Sequence, residues 1–523
     1  MMNITKTLFH ITACLLIAVT SCMAQEALTR TTVAQGEIEG VAEDGLAIYK
    51  AIPYAEPPVG NLRWKAPVPA KKWDGVYQAN KFAPMPPQQT QARPGQEAPK
   101  WSEDCLYVSV MTPAKSKDEK LPVMVWIHGG GFITGSYTSP MGNNFAKQGV
   151  VVASIEYRTG ALGFLALPEL SKESGRGISG NYGLMDQILA LKWIKDNIAA
   201  FGGDPDKITI FGESAGGIAV SMLCASPLAK GLFRAAICES GGSFCPVDSV
   251  RNNNNGIRDL KGAEKFGMDF MKRIGTKNLK QLRSMSPEAW IADAPSIGVG
   301  GFWPTVDGYV ITDDQYKLYE KGEYNDVNVI VGTNSDEGSM FVRPSSVEAY
   351  QAEVRKEYGP FADRVLQLYP ATSEQETYAA RSDIFRETAF AWPSFVWERL
   401  QQKTGKGKVY VYYFDQISEN PWMPGPQRGA SHASELPFVF GMHWGKPSPV
   451  GDALSDMMMG YWLNFAKTGD PNAKGMPYWP VYDEKKATVM DFKDGCHLIN
   501  VPNLPQIQLM DEFFKWKREK QQK

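Results

Sequence analysis

The chain is short of cysteine, short of histidine and without an excess of either charge, and each shortage removes a class of protein. Seven Cys in 523 residues, at 14, 22, 105, 224, 238, 245 and 496, are too sparse for a disulfide-stapled scaffold. No Cys-x-x-Cys pair occurs, so no structural zinc site is expected, and no motif calls for a metal or an organic cofactor. Cys238 and Cys245 read as buried thiols in preference to a disulfide. Lys plus Arg number 55 against 57 Asp plus Glu, which leaves no broad basic field for a nucleic acid or an anionic membrane. The longest apolar stretch, in the leader, is too short to span a bilayer. A small molecule is the default partner.

What is present begins with an export signal over residues 1–24. Lys6 is its only charge, and the apolar stretch Ile11 to Val19 precedes the small residues Thr20 and Ser21. Val19-Thr20-Ser21-Cys22 resembles a bacterial lipobox, which would place a lipid anchor on Cys22; Cys22-Met23-Ala24 offers an ordinary cleavage site instead. The lipidated form is the preferred reading, and the expected location is the bacterial periplasm or envelope. Residues 25–523 are expected to form one domain with insertions, although length alone also allows several.

Apolar runs bounded by turn residues predict strands at Val123–Ile127, Val150–Ile155, Ile208–Phe211, Val327–Val331 and Val409–Phe414. The segment Asn181 to Phe201 has helical spacing, and Ala215 to Leu223 is small and apolar enough to be a helix packed on a sheet. This alternation predicts an α/β fold with a mostly parallel central sheet flanked by helices. Ser346 to Gln402 reads as a helical insertion that covers the sheet. Pro84–Pro99 and Asn252–Gly256 read as surface loops.

Acyl transfer requires a nucleophile, a base for its proton, and donors for the oxyanion that forms on the carbonyl. Gly212-Glu213-Ser214-Ala215-Gly216 lies between a predicted strand and a predicted helix, the setting of a nucleophile elbow. His128-Gly129-Gly130-Gly131 follows directly on another strand, where backbone N–H groups can turn toward a bound oxygen. Gly130, Gly131 and Ala215 are the predicted donors, in the layout of an α/β-hydrolase. Of five histidines, His10 is in the leader and His128 precedes the glycine loop. His432, His443 and His497 all satisfy the order serine, acid, histidine; His432 has the loop setting suited to a base. The acid belongs at the end of Val327–Val331, where Asp336 and Glu337 are adjacent and spacing does not separate them. A neutral base would make turnover fall below about pH 6 to 7.

At this point the sequence resembles the type-B carboxylesterase family, which also contains the cholinesterases, from about Val33 to Tyr482. The resemblance rests on Glu103-Asp-Cys-Leu-Tyr-Val-Ser-Val-Met-Thr-Pro113, Phe211-Gly-Glu-Ser-Ala-Gly-Gly217, Ile52-Pro-Tyr-Ala-Glu-Pro-Pro58 and Asn464-Phe-Ala-Lys-Thr-Gly-Asp-Pro-Asn472. It implies an α/β-hydrolase with a helical cap, acting on small carboxylic esters through Ser214, His432 and Glu337, with Ser240 and Glu435 as partners behind them. Phe82-Ala-Pro-Met-Pro86 stands where many animal members carry the cysteine that pairs with the one matching Cys105, which leaves Cys105 a free thiol. No residue matches the family's choline site. Two other readings of the same scaffold are a non-catalytic binding protein, disfavoured because Ser214, Glu337 and His432 are all present, and an amidase.

Overall fold

The computed structural model describes residues 27–90, 98–138, 142–248, 256–292, 301–417, 427–442 and 449–521. The export signal with Cys22, the run Asn252–Asn255 and His443 lie outside the described residues.

Eleven strands form the main sheet: β1 (Val41–Glu43), β2 (Leu46–Pro53), β3 (Tyr107–Thr112), β4 (Leu121–Ile127), β5 (Val151–Ile155), β6 (Gly203–Glu213), β7 (Ala235–Glu239), β8 (Asn328–Asn334), β9 (Val409–Phe414), β10 (Thr488–Phe492) and β11 (Cys496–Asn500). Their spatial order is β11-β10-β9-β8-β7-β6-β4-β5-β3-β2-β1. Every pairing from β5 across to β10 is parallel, and the outer pairings are antiparallel. The predicted strands therefore form its centre, and each is largely apolar and buried because helices cover both faces.

The helices that matter for the site are α1 (Pro168–Glu173), α2 (Tyr182–Asn197), α3 (Ala215–Ala225), α4 (Glu374–Arg386), α5 (Trp392–Thr404) and α6 (Pro449–Thr468). The expected helix from Asn181 to Phe201 ends earlier, at Asn197, and continues as a 3₁₀ turn over Ile198–Phe201 closed by Gly202 in the left-handed region. Side chains alternate across the central strands. Val123, Val125, Ile127, Ile208 and Ile210 join one core layer with α2, α3 and α5. Met124, Trp126, Phe211, Ile237 and Ile330 join a second with α6. Cys105, Cys224, Cys238, Cys245 and Cys496 are all buried, and none of them forms a disulfide among the described residues.

Pairing register fixes where the chain leaves the sheet. Ile127, Gly212, Cys238, Val331 and Val411 sit opposite one another in a single row across five strands. The segments after β4, β6, β7 and β8 thus emerge along one edge, the carboxyl edge, where open α/β sheets build their sites.

Candidate active site

Ser214 sits between the last residue of β6 and the first of α3, with φ 56° and ψ −125°. A non-glycine residue held there is strained, and its surroundings must enforce it. They do so by crowding. A Cβ on Gly212 would stand 2.6 Å from the Ile127 carbonyl oxygen, and one on Gly216 would collide with the same oxygen. Only glycine at both positions lets the turn lie this close to β4. The Ser214 N–H donates to the Glu239 carbonyl on β7, which pins the turn to the neighbouring strand.

The glycine loop packs directly on that turn, since a Cβ on Gly129 would come within 3.2 Å of the Ser214 Cβ. Gly130 and Gly131 have φ 100° and 63°, open to glycine and costly for other residues. Neither N–H donates a hydrogen bond among the described residues, so both are available to a ligand oxygen. The loop is braced from behind. His128 Nε2 meets Glu156 Oε1 at 2.9 Å, its ring stacks on Tyr157 at 4.4 Å, and the Tyr157 hydroxyl donates to the His128 carbonyl.

His432 is buried, and its Nδ1 lies 2.6 Å from Glu337 Oε2. The other oxygen of Glu337 accepts from the Ser240 hydroxyl at 2.6 Å and from the Asn334 N–H at 2.7 Å. Asp336 points elsewhere: it accepts from the hydroxyls of Ser339 and Ser382 and pairs with Arg428. Of the two adjacent carboxylates, Glu337 is the one in contact with a histidine. His497 is exposed on the edge strand β11, opposite Asp491. Glu435 makes no hydrogen bond or ion pair with His432 among the described residues; it accepts from the Asn334 side-chain amide.

The Nε2 edge of His432 makes no hydrogen bond among the described residues. A carboxylate oxygen of Glu213, the residue before Ser214, lies 3.1 Å from it. Two rings bound the imidazole: Phe390 stacks on it at 5.0 Å and Phe341 meets it edge-on at 5.1 Å. Phe390 belongs to a π-helical turn, Glu387–Ala391, that joins α4 to α5. The predicted helical insertion reaches the imidazole through this bulged turn, and it reaches the segment before Glu337 through Ser382, which donates to Asp336, and Arg386, which donates to the Ser335 carbonyl.

Four glutamates, 213, 239, 337 and 435, are buried close enough to act on one another, and two of them, Glu213 and Glu337, face the imidazole. Burial pushes Glu213 up to about 7, with the His432 charge opposing and Glu337 adding. It pushes Glu239 up to about 8, against the hydrogen bond from the Trp462 indole. Glu435 goes well above the carboxylate range, through burial and then through its acidic neighbours. For His432 burial acts downward, but the charges of Glu213 and Glu337 and the hydrogen bond to Glu337 outweigh it and raise the imidazole to about 9. The ordinary histidine range of about 6 to 7 expected from the sequence is thereby displaced upward.

Glu213, Asn334, Phe341 and Phe390 are the contacts that sequence reasoning missed. Glu213 lies inside the quoted elbow motif, where its place beside the serine signals no particular role, and Asn334 lies in the segment after the predicted strand Val327–Val331, outside every quoted motif. Phe390 carried no signal, since a π-turn has no sequence period.

A serine on a strained strand-to-helix turn, a glycine loop packed on it and a His–Glu pair at the same edge of a mostly parallel sheet define an α/β-hydrolase. The chain belongs to the carboxylesterase family, whose model matches residues 27–508. It is 34% identical over 508 residues to a para-nitrobenzyl esterase of Bacillus subtilis, covering 93% of this chain and 99% of that one. It is 35% identical to a fumonisin B1 esterase of Sphingopyxis macrogoltabida, covering 87% and 85%. Two solved structures, a PNB esterase and a thermophilic PNB esterase, superpose with TM-scores of 0.79 and 0.80 at 33% and 32% identity, each covering 92% of this chain and 99% of the other. The protein is a carboxylic ester hydrolase.

Proposed function

We propose that Ser214, His432 and Glu337 act as nucleophile, base and acid in hydrolysing small-molecule carboxylic esters through an acyl-enzyme. The observation that carries this is the 2.6 Å contact from His432 Nδ1 to Glu337, which leaves Nε2 as the proton acceptor, facing the turn that bears Ser214. In the first half-reaction Ser214 Oγ adds to the ester carbonyl carbon while its proton passes to His432 Nε2. The N–H groups of Gly130, Gly131 and Ala215 take up the oxyanion. Collapse breaks the bond to the alcohol, which leaves with the proton from the imidazolium. Water then loses a proton to the same nitrogen as it adds to the acyl carbon; collapse breaks the bond from that carbon to Ser214 Oγ, which takes the proton back from the imidazolium, and the acid is released. Glu337, fixed by Ser240 and Asn334, orients the imidazole and stabilises its charged form.

Ser214→Ala should lower ester turnover by about four orders of magnitude or more while leaving the melting curve unchanged. A fluorophosphonate probe should label wild type and not the variant; retained activity in the variant would overturn the assignment.

The residue 1–24 leader supports export, with Cys22 as a lipid-anchored terminus. Fractionation of expressing cells should place the protein in a membrane-bound envelope fraction, and Cys22→Ala should release it. A wholly cytosolic protein would refute this.

A further inference from the structure

A cavity of about 540 Å³ opens on the outer side of α2 and shares no lining residue with the site around Ser214. It is the size of a small-ligand pocket, commonly about 300 to 1,000 Å³. Its floor is the one stripe of α2, a helix buried over most of its surface, that is not fully covered. Leu184, Leu191 and Ile194 turn inward to the core, so the opposite stripe of α2 should be polar. Instead Met185 and Leu189 lie there half-buried, with Lys192 one turn further on. Trp64 and Val68 form one wall, and Leu170 and Ile178, from α1 and the loop after it, form another.

The charge around this apolar floor is one-sided. Lys65, Arg176 and Lys192 line it, against the single carboxylate of Glu173. Glu173 is already shared between Lys65 at 3.2 Å and Arg283 at 2.8 Å. The Arg176 guanidinium lies over the Tyr309 ring at 4.7 Å with no carboxylate partner among the described residues, and Lys192 makes no ion pair among them. An apolar trough with two uncompensated cations disfavours a cationic occupant and leaves a neutral one without a partner for the charges.

We propose that this cavity binds an amphipathic organic anion, its apolar body against Met185 and Leu189 and its carboxylate against Lys192 and Arg176. The site stands apart from the triad, and only the blocking step of its test relies on Ser214 as nucleophile.

The test uses full-length protein phosphorylated with diethyl para-nitrophenyl phosphate, so that the catalytic pocket is occupied. Intact mass must first show one added diethylphosphoryl group; its absence would count against the nucleophile and not against the cavity. Calorimetric titration of the blocked protein with monomeric decanoate should then show one saturable site per chain. The Arg176→Glu/Lys192→Glu protein, altered only at exposed residues, should bind about tenfold more weakly or worse, and so should Leu189→Asp. The double variant, unblocked, should keep wild-type ester turnover, which shows that it is folded. Wild type should prefer decanoate to 1-decanol by a similar factor. No saturable binding, equal affinity in the folded double variant, or equal affinity for decanol would each overturn the proposal.

Discussion

In the proposed mechanism His432 is the residue on which the chemistry turns, and its neighbours explain both why it is basic and why that basicity is adjustable. Glu337 touches Nδ1 and Glu213 faces Nε2, so the imidazolium is held from both sides and the group is raised to about 9. The neutral form, which in that mechanism accepts the Ser214 proton, is then favoured by raising the pH, and kcat/KM should climb on the way to that value. Glu213→Gln removes one of the two charges, lowers the imidazole pKa and moves the acidic limb to lower pH. A kcat/KM profile from about pH 5 to 10 on both proteins measures the shift; an unmoved limb would mean that Glu213 does not act on His432. At this scale the sequence was most legible for residues whose type is chemically necessary, Ser214 and the glycines around it. It was silent on Glu213, because a glutamate next to a nucleophile announces neither a partner nor a direction.

Among elements, the central strands and the elbow could be read from apolar runs and turn residues, while the joining of the acid and base loops could not. That joint is made by Asn334. Its N–H goes to Glu337, and its side-chain amide goes to the Ser431 carbonyl and to Glu435. A second tie runs from the Asp336 N–H to the Ala430 carbonyl. The segment bearing His432 is thus clasped to the end of β8, which is why two residues separated by 95 positions meet. Asn334→Ala should lower kcat roughly ten- to a hundredfold with KM little changed, since a base displaced by about 1 Å is a poor proton acceptor. Wild-type kcat would show that β8 positions His432 without this clasp. Order along the chain left three candidate histidines and adjacent carboxylates because such ties are long-range hydrogen bonds, with no local pattern to betray them.

For the whole molecule, the buried carboxyls make stability depend on pH in an uncommon direction. Glu213 and Glu239 are raised from 4.5 to about 7 and about 8, and Glu387, beside Arg386, also reaches about 7 because burial outweighs its partner. A carboxyl raised in the folded state holds a proton that the unfolded chain has lost. Its contribution is complete below about 4.5 and disappears as pH rises through the folded value; His432, raised to about 9, acts in the same sense. The melting temperature should therefore fall between about pH 5 and 9, each such proton adding a slope of at most about 1.4 kcal/mol per pH unit. Glu239→Gln, which keeps an acceptor for Trp462, should flatten the fall; an equally steep curve would remove Glu239 from the account. The charge totals in the sequence could not show this, because they do not say which carboxyls fold inward.

The site is assembled from segments after β4, β6 and β8 and from the loop at His432, so its parts are spread over most of the chain. Synthesis delivers Ser214 long before His432, the base proposed for it. On the proposed roles a nascent or partly unfolded chain therefore carries an inert hydroxyl, and ester cleavage appears only when the last of these segments has docked. The enzyme is chemically silent until it is finished, and regain of turnover after denaturation reports completion of the fold itself.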